Sequence, residues 1–151
     1  MSLPTDQHQL EERIKSDLLE YYAEMPDSIF GMMHPRIMSC SLKDRKLEVL
    51  IMPDQWMRNL NHVMHGGVIS AAIDSAGGML ARCFTQSGKN APTIDLHVNY
   101  LQPVALDREM ILCAHVVFPG KHLISVQTEV YSSKDGEKML CATGSTTHYE
   151  R

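Results

Sequence analysis

His65-Gly66-Gly67-Val68-Ile69-Ser70-Ala71-Ala72-Ile73-Asp74-Ser75-Ala76-Gly77-Gly78 opens an apolar helix with very little side-chain bulk. Two consecutive interior glycines each cost a helix about 1 kcal/mol relative to alanine. A helix over roughly 67–84 therefore holds together mainly if a sheet wraps it at close range. The polar run Thr85-Gln86-Ser87-Gly88 marks its close. The same stretch carries chemistry. Helix starts offer free backbone N–H groups and the positive end of the helix dipole, which places Gly66 to hold a developing oxyanion. A glycine there lets a carbonyl approach the backbone closely. Asp74 interrupts the small apolar run. A buried carboxylate is costly without a partner, so Asp74 is read either as a paired structural acid or as a catalytic one.

The flanks supply the wrapping. Residues 6–24 read as an N-terminal helix, with Leu10, Ile14 and Leu18 on one stripe and Pro26 beyond its end. Two strand signals follow at 37–42 and 46–52, separated by the polar turn Lys43-Asp44-Arg45. Residues 54–65 read as an irregular loop rich in Asn, His and Met. After the helix the period changes from helical to alternating. Over 93–101, Ile94, Leu96, Val98 and Tyr100 share one face, and Asp95, His97 and Asn99 the other. Further strands are expected at 109–118, 122–133 and 138–148, divided by Pro119-Gly120 and Lys134-Asp135-Gly136. The sum is an α+β chain, with a long, mostly antiparallel sheet around one central helix.

At 151 residues the chain is expected to form one domain over 1–151. Its 14 basic residues are scattered and its formal net charge is −4, which argues against a nucleic-acid partner. No apolar run approaches the ~20 residues that span a bilayer. The N-terminal residues lack signal-peptide character, so the cytoplasm is the expected location and no membrane partner is expected. The four cysteines contain no Cys-x-x-Cys pair. His62 and His65 form His-x-x-His without a third ligand at suitable spacing, and no metal is expected. No Gly-x-Ser-x-Gly elbow is present, which disfavours a serine hydrolase.

Two segments together carry a family resemblance: His65-Gly66-Gly67 with its eight-residue step from Gly66 to Asp74, and Thr93-Ile94-Asp95-Leu96-His97-Val98-Asn99-Tyr100-Leu101-Gln102-Pro103. The chain resembles the hotdog fold, and more narrowly the PaaI-type acyl-CoA thioesterases of the 4-hydroxybenzoyl-CoA thioesterase superfamily. The resemblance covers roughly residues 35–148. It implies that Gly66 donates its N–H to the thioester carbonyl and that Asp74 is the general base or the nucleophile. It implies that Asn59 positions the water or the carbonyl, and that Thr93 holds the water where relatives often carry Ser. His65 would be auxiliary, and Gly67 would join the substrate-binding turn. Lys121, at a hairpin tip where relatives often have a base, would touch coenzyme A phosphates or stand solvated. Beyond coenzyme A as part of the substrate, no cofactor is implied.

Helix geometry bears on the assembly. Gly66 and Asp74 lie about 12 Å apart along an α-helix axis, too far for both to reach one carbonyl. A second copy with its helix antiparallel would set its Asp74 opposite the first Gly66. The expectation is therefore a homodimer with composite sites, with a dimer of dimers left open. The expected activity is hydrolysis of an acyl- or aryl-CoA to the acid and free CoA. The alternative is a hotdog protein that binds acyl-CoA without turnover. A hydratase is disfavoured, because those relatives arrange His with Asp or Glu differently.

Overall fold

The computed structural model describes residues 3–85 and 91–150. Among the described residues, three α-helices, α1 (Gln7–Ala23), α2 (Ile29–Met32) and α3 (Gly66–Cys83), accompany six strands. The strands are β1 (Arg36–Ser41), β2 (Lys46–Ile51), β3 (Thr93–Tyr100), β4 (Glu109–Pro119), β5 (Leu123–Lys134) and β6 (Glu137–Tyr149). They form one sheet in the order β1-β2-β4-β5-β6-β3, and every pairing is antiparallel.

Helix α3 packs across β2, β3, β4, β5 and β6. The long strands show why. Ile124, Val126, Thr128 and Val130 of β5 alternate inward with Gly144, Thr146 and His148 of β6, and all are buried. From the helix, Ile69, Ala72, Ile73, Ala76 and Leu80 face them and are buried too. Helix and sheet meet so closely that a Cβ at Gly144 would lie 2.7 Å from Ile73 Cγ2. A Cβ at Gly77 would lie 2.7 Å from Thr146 Oγ1. The small-sided helix is thus the form that this close sheet admits.

The turns follow their residues. Asp135 and Gly136 have φ of 52° and 85°, the left-handed pair that a two-residue hairpin between β5 and β6 requires. At the other end, Asp6 caps α1 by accepting a 2.9 Å bond from Gln9 N–H. Leu10 and Ile14 of α1 are buried, and the helix lies against α3 and β1.

Several expectations needed adjustment. Helix α2, four residues capped by Ser28, is too short to leave a periodic trace and was not anticipated. The loop at 54–65 contains a 3-10 turn at Gln55–Met57 and an isolated bridge between Arg58 and Met64. Of the polar run expected to close α3, Gln86-Ser87-Gly88 lies outside the described residues. Among the described residues, strand β3 is an edge strand that pairs only with β6. Its apolar face is only partly covered by the described residues: Val98 packs against the core, while Ile94 is 60% exposed, Leu96 41% and Tyr100 52%.

Candidate active site

The entrance to α3 is pinned from three sides. His65 N–H donates to Met57 O at 2.7 Å, and Met64 N–H to Val104 O at 2.9 Å. The Tyr100 hydroxyl, from the end of β3, donates to Gly66 O at 2.8 Å. That leaves Ser70 Oγ, 2.5 Å away, to donate to the Tyr100 oxygen. The Tyr100 ring lies against Gly66, where a Cβ would sit 3.1 Å from Cζ.

His65 is the N-cap of α3. Its Nδ1 accepts from Gly67 N–H at 2.9 Å, so Nε2 carries the ring proton of the neutral imidazole. The cap engages Gly67 and leaves its neighbour open: Gly66 N–H has no acceptor among the described residues. It points from the first turn of a helix, where the dipole favours negative charge.

Two turns along the helix stands Asp74, half-buried. Thr93, the first residue of β3, donates its hydroxyl to Asp74 Oδ1 at 2.7 Å. Oδ2 has no partner among the described residues. Behind Thr93 lies His148, whose side chain is fully buried. Its Nδ1 is 3.2 Å from Ala91 O and 3.3 Å from Thr93 Oγ1, and its Nε2 is 2.9 Å from Thr146 Oγ1. The β3–β6 register sets Thr93 opposite His148. Burial holds the imidazole below its usual pKa, and the Ala91 carbonyl and the Asp74 carboxylate oppose that only in part.

A cleft of about 330 Å³ opens over Asp74 and Thr93. Gly78 and Arg82 of α3 and Asp17 and Tyr21 of α1 also line it. Arg82 lies 3.4 Å from Asp17 Oδ1 and 4.0 Å from Glu20 Oε2. Burial nevertheless raises the Asp17 carboxyl above the usual range, outweighing Arg82.

The structure therefore brings Asp74 and Thr93 together and sets His65, Gly66 and Gly67 in one turn. Asn59 is engaged locally. Its Oδ1 accepts from Asn61 N–H at 2.9 Å and from Val63 N–H at 3.4 Å, the loop-capping job common for Asn. Lys121 lies elsewhere, in a separate cleft with Lys43, Arg45 and Phe84. Sequence reasoning passed over His148, Thr146, Tyr100 and Ser70. One signal was available for the first two: the alternation Gly144-x-Thr146-x-His148 puts small and polar groups on an inward face, opposite a helix that has two adjacent glycines.

The model of a family described as Thioesterase superfamily matches residues 61–139, a segment that holds α3, β3, β4 and β5. Acyl-coenzyme A thioesterase 13 of Mus musculus is 27% identical over 86 residues, which are 57% of this chain and 59% of that protein. The chain thus spans less than two thirds of that curated relative. Among solved structures, a thioesterase family protein from Silicibacter pomeroyi has a TM-score of 0.77 at 22% identity, over 93% of this chain and 96% of that one. A Streptococcus mutans protein solved with acetyl-CoA bound has a TM-score of 0.68 at 19% identity, over 76% and 86%. The fold is the hotdog fold, and the chain belongs to the thioesterase superfamily.

Proposed function

We propose that the protein is a thioester hydrolase acting on an acyl- or aryl-CoA. The observation that carries this is the pair of groups left open on one small-sided helix. Gly66 N–H lacks an acceptor at its start, and Asp74 has one oxygen held by Thr93 and the other unengaged. The first is an electrophilic group for a thioester carbonyl, and the second is a base or nucleophile of fixed orientation. Coenzyme A as the carrier is supported by the name of the mouse relative and by the acetyl-CoA on the Streptococcus mutans protein.

In this reading the site is composite. Gly66 and Asp74 of one helix stand about 12 Å apart, so each works with the other's counterpart in a second copy. The open edge of β3 and its exposed Ile94, Leu96 and Tyr100 support pairing there. Gly66 N–H and the helix dipole polarise the thioester C=O. Either Asp74 Oδ2 takes a proton from water as the hydroxide adds to the carbonyl carbon, and the adduct collapses with cleavage of the C–S bond and loss of the thiolate. Or Oδ2 adds directly, the C–S bond breaks to give an anhydride and the departing thiolate, and water then cleaves the anhydride. The products are the carboxylic acid and free CoA.

The test is release of free thiol from a panel of short-, medium-, long-chain and aromatic acyl-CoAs, with wild type and Asp74→Asn side by side. Hydrolysis by the wild type that falls on the order of 10²–10⁴-fold in the variant supports the reading. Tight acyl-CoA binding without turnover in both would replace it with a non-hydrolytic binder.

A further inference from the structure

One buried polar group behind the site takes no part in the proposed hydrolysis. His148 is fully buried, yet both ring nitrogens are satisfied. A carbonyl oxygen only accepts, so Ala91 O fixes the ring proton on Nδ1, and Nε2 must accept from the Thr146 hydroxyl. Thr93 Oγ1, 3.3 Å from that same Nδ1, then lies on its donor side. A hydroxyl that receives an N–H there turns its own proton elsewhere, and the group facing it is Asp74 Oδ1 at 2.7 Å. Every bond in the series Thr146, His148, Thr93, Asp74 has one consistent direction.

The helix is cut to admit the threonine that hydrogen-bonds this imidazole. A Cβ at Gly77 would press Thr146 Oγ1 at 2.7 Å and reach within 3.5 Å of His148 Nε2. A Cβ at Gly78 would sit 3.6 Å from His148 Cε1. Gly77, otherwise a cost to the helix, is the opening that admits Thr146 and lets its hydroxyl meet Nε2, while a methyl at Gly78 would make only an ordinary contact with the ring.

We infer that His148 is the positioning residue of this site, acting through Thr93. It holds the Thr93 hydroxyl as a donor to Asp74 Oδ1 and so leaves Oδ2 aimed at the cleft. The inference rests on the hydrolytic reading of Asp74. Other charged and titratable groups around the cleft are Asp17 and Tyr21 from α1 and Arg82 from α3. They line it without joining the series.

Two measurements test the inference. The first needs no turnover: ¹⁵N NMR of the wild-type protein is expected to show His148 with its proton on Nδ1. A proton on Nε2 overturns the proposal. The second is kinetic. His148→Leu removes the donor and is expected to lower kcat about tenfold with KM within about twofold, the loss of one hydrogen bond to a charged group's partner. His148→Asn, which can place an N–H near the Nδ1 position, is expected to restore most of that loss. In a Thr93→Val background, His148→Leu is expected to cost nothing further. A full additional loss in that background, or a rise in KM at constant kcat, overturns the proposal. If the wild type hydrolyses no acyl-CoA, the functional reading fails, while the NMR measurement still decides the direction of the series.

Discussion

Thr93 and Asp74 are nineteen positions apart in the chain and 2.7 Å apart in the fold, with the hydroxyl donating to Oδ1. The bond joins the edge strand to the central helix, so the carboxylate is oriented by the strand that presents the chain's open edge. Thr93→Ser keeps the donor and is expected to retain activity within about threefold, whereas Thr93→Val loses it and is expected to lower kcat roughly tenfold. Steady-state thiol release at saturating acyl-CoA measures both.

A composite site gives a complementation test. Asp74→Asn and a Gly66→Val protein are each expected to be inactive alone. Unfolded together and refolded at equal concentration, they should recover about a quarter of wild-type activity, since half of randomly paired dimers carry one intact site of two. No recovery, with mixed dimers demonstrated by mass, would place Gly66 and Asp74 in the same protomer's site or remove one of them from the chemistry.

The adjacent glycines are expected to behave differently. Gly77→Ala forces its methyl onto Thr146 Oγ1, an overpacking cost of about 1–3 kcal/mol that exceeds the helix-propensity gain of about 1 kcal/mol. Gly78→Ala meets only His148 Cε1 at 3.6 Å, an ordinary contact. It is expected to be neutral or stabilising by up to about 1 kcal/mol. Urea unfolding of the two variants reads the difference directly.

Stability should also depend on pH through His148. Its native pKa is depressed, chiefly by burial. As pH falls past about 6.5, the unfolded chain takes up a proton there that the native state refuses. Stability is therefore complete above that pH and declines below it, until the native imidazole itself is protonated. His148→Asn should remove this part of the slope between about pH 7 and 5, measured by unfolding midpoints in urea.

Two thiols are expected to stay silent in the native protein. Burial pushes Cys83 up to about 12. Burial and then Glu48 push Cys113 up to about 11. At pH 8 a thiol reagent should leave both unlabelled in the folded state and label all four cysteines after denaturation. Mass spectrometry of labelled peptides checks this, and it matters because thiol release is the activity readout.

Much of the fold was legible in the sequence because its signals are local or periodic. The alternation after residue 93, the Asp135-Gly136 turn and the bulkless run from Gly66 to Gly78 each have a direct structural meaning. The close approach of sheet and helix followed from the glycines and is seen at Gly77 and Gly144. Strand order did not follow, because nothing local announces that β3 crosses to pair with β6. The site was half legible. Gly66 and Asp74 are tied by helix spacing, and Thr93 entered through the family likeness. His148 meets Thr93 only through strand register, 55 positions away. Its alternation with Gly144 and Thr146 marks an inward face, but nothing local names the strand residue it meets there.

Helix α1 has a consequence of a different kind. It precedes residues 61–139, which the thioesterase superfamily model matches, and its Asp17 and Tyr21 form part of the wall facing Asp74 and Thr93. The Asp74 carboxylate and part of the wall in front of it are thus carried by different helices. Substitution along one face of α1 can redraw the shape and charge of what is admitted while the bonds that orient Asp74 stay untouched. Under the proposed hydrolysis, preference among acyl groups can change through α1 while the Thr93–Asp74 bond stays as it is.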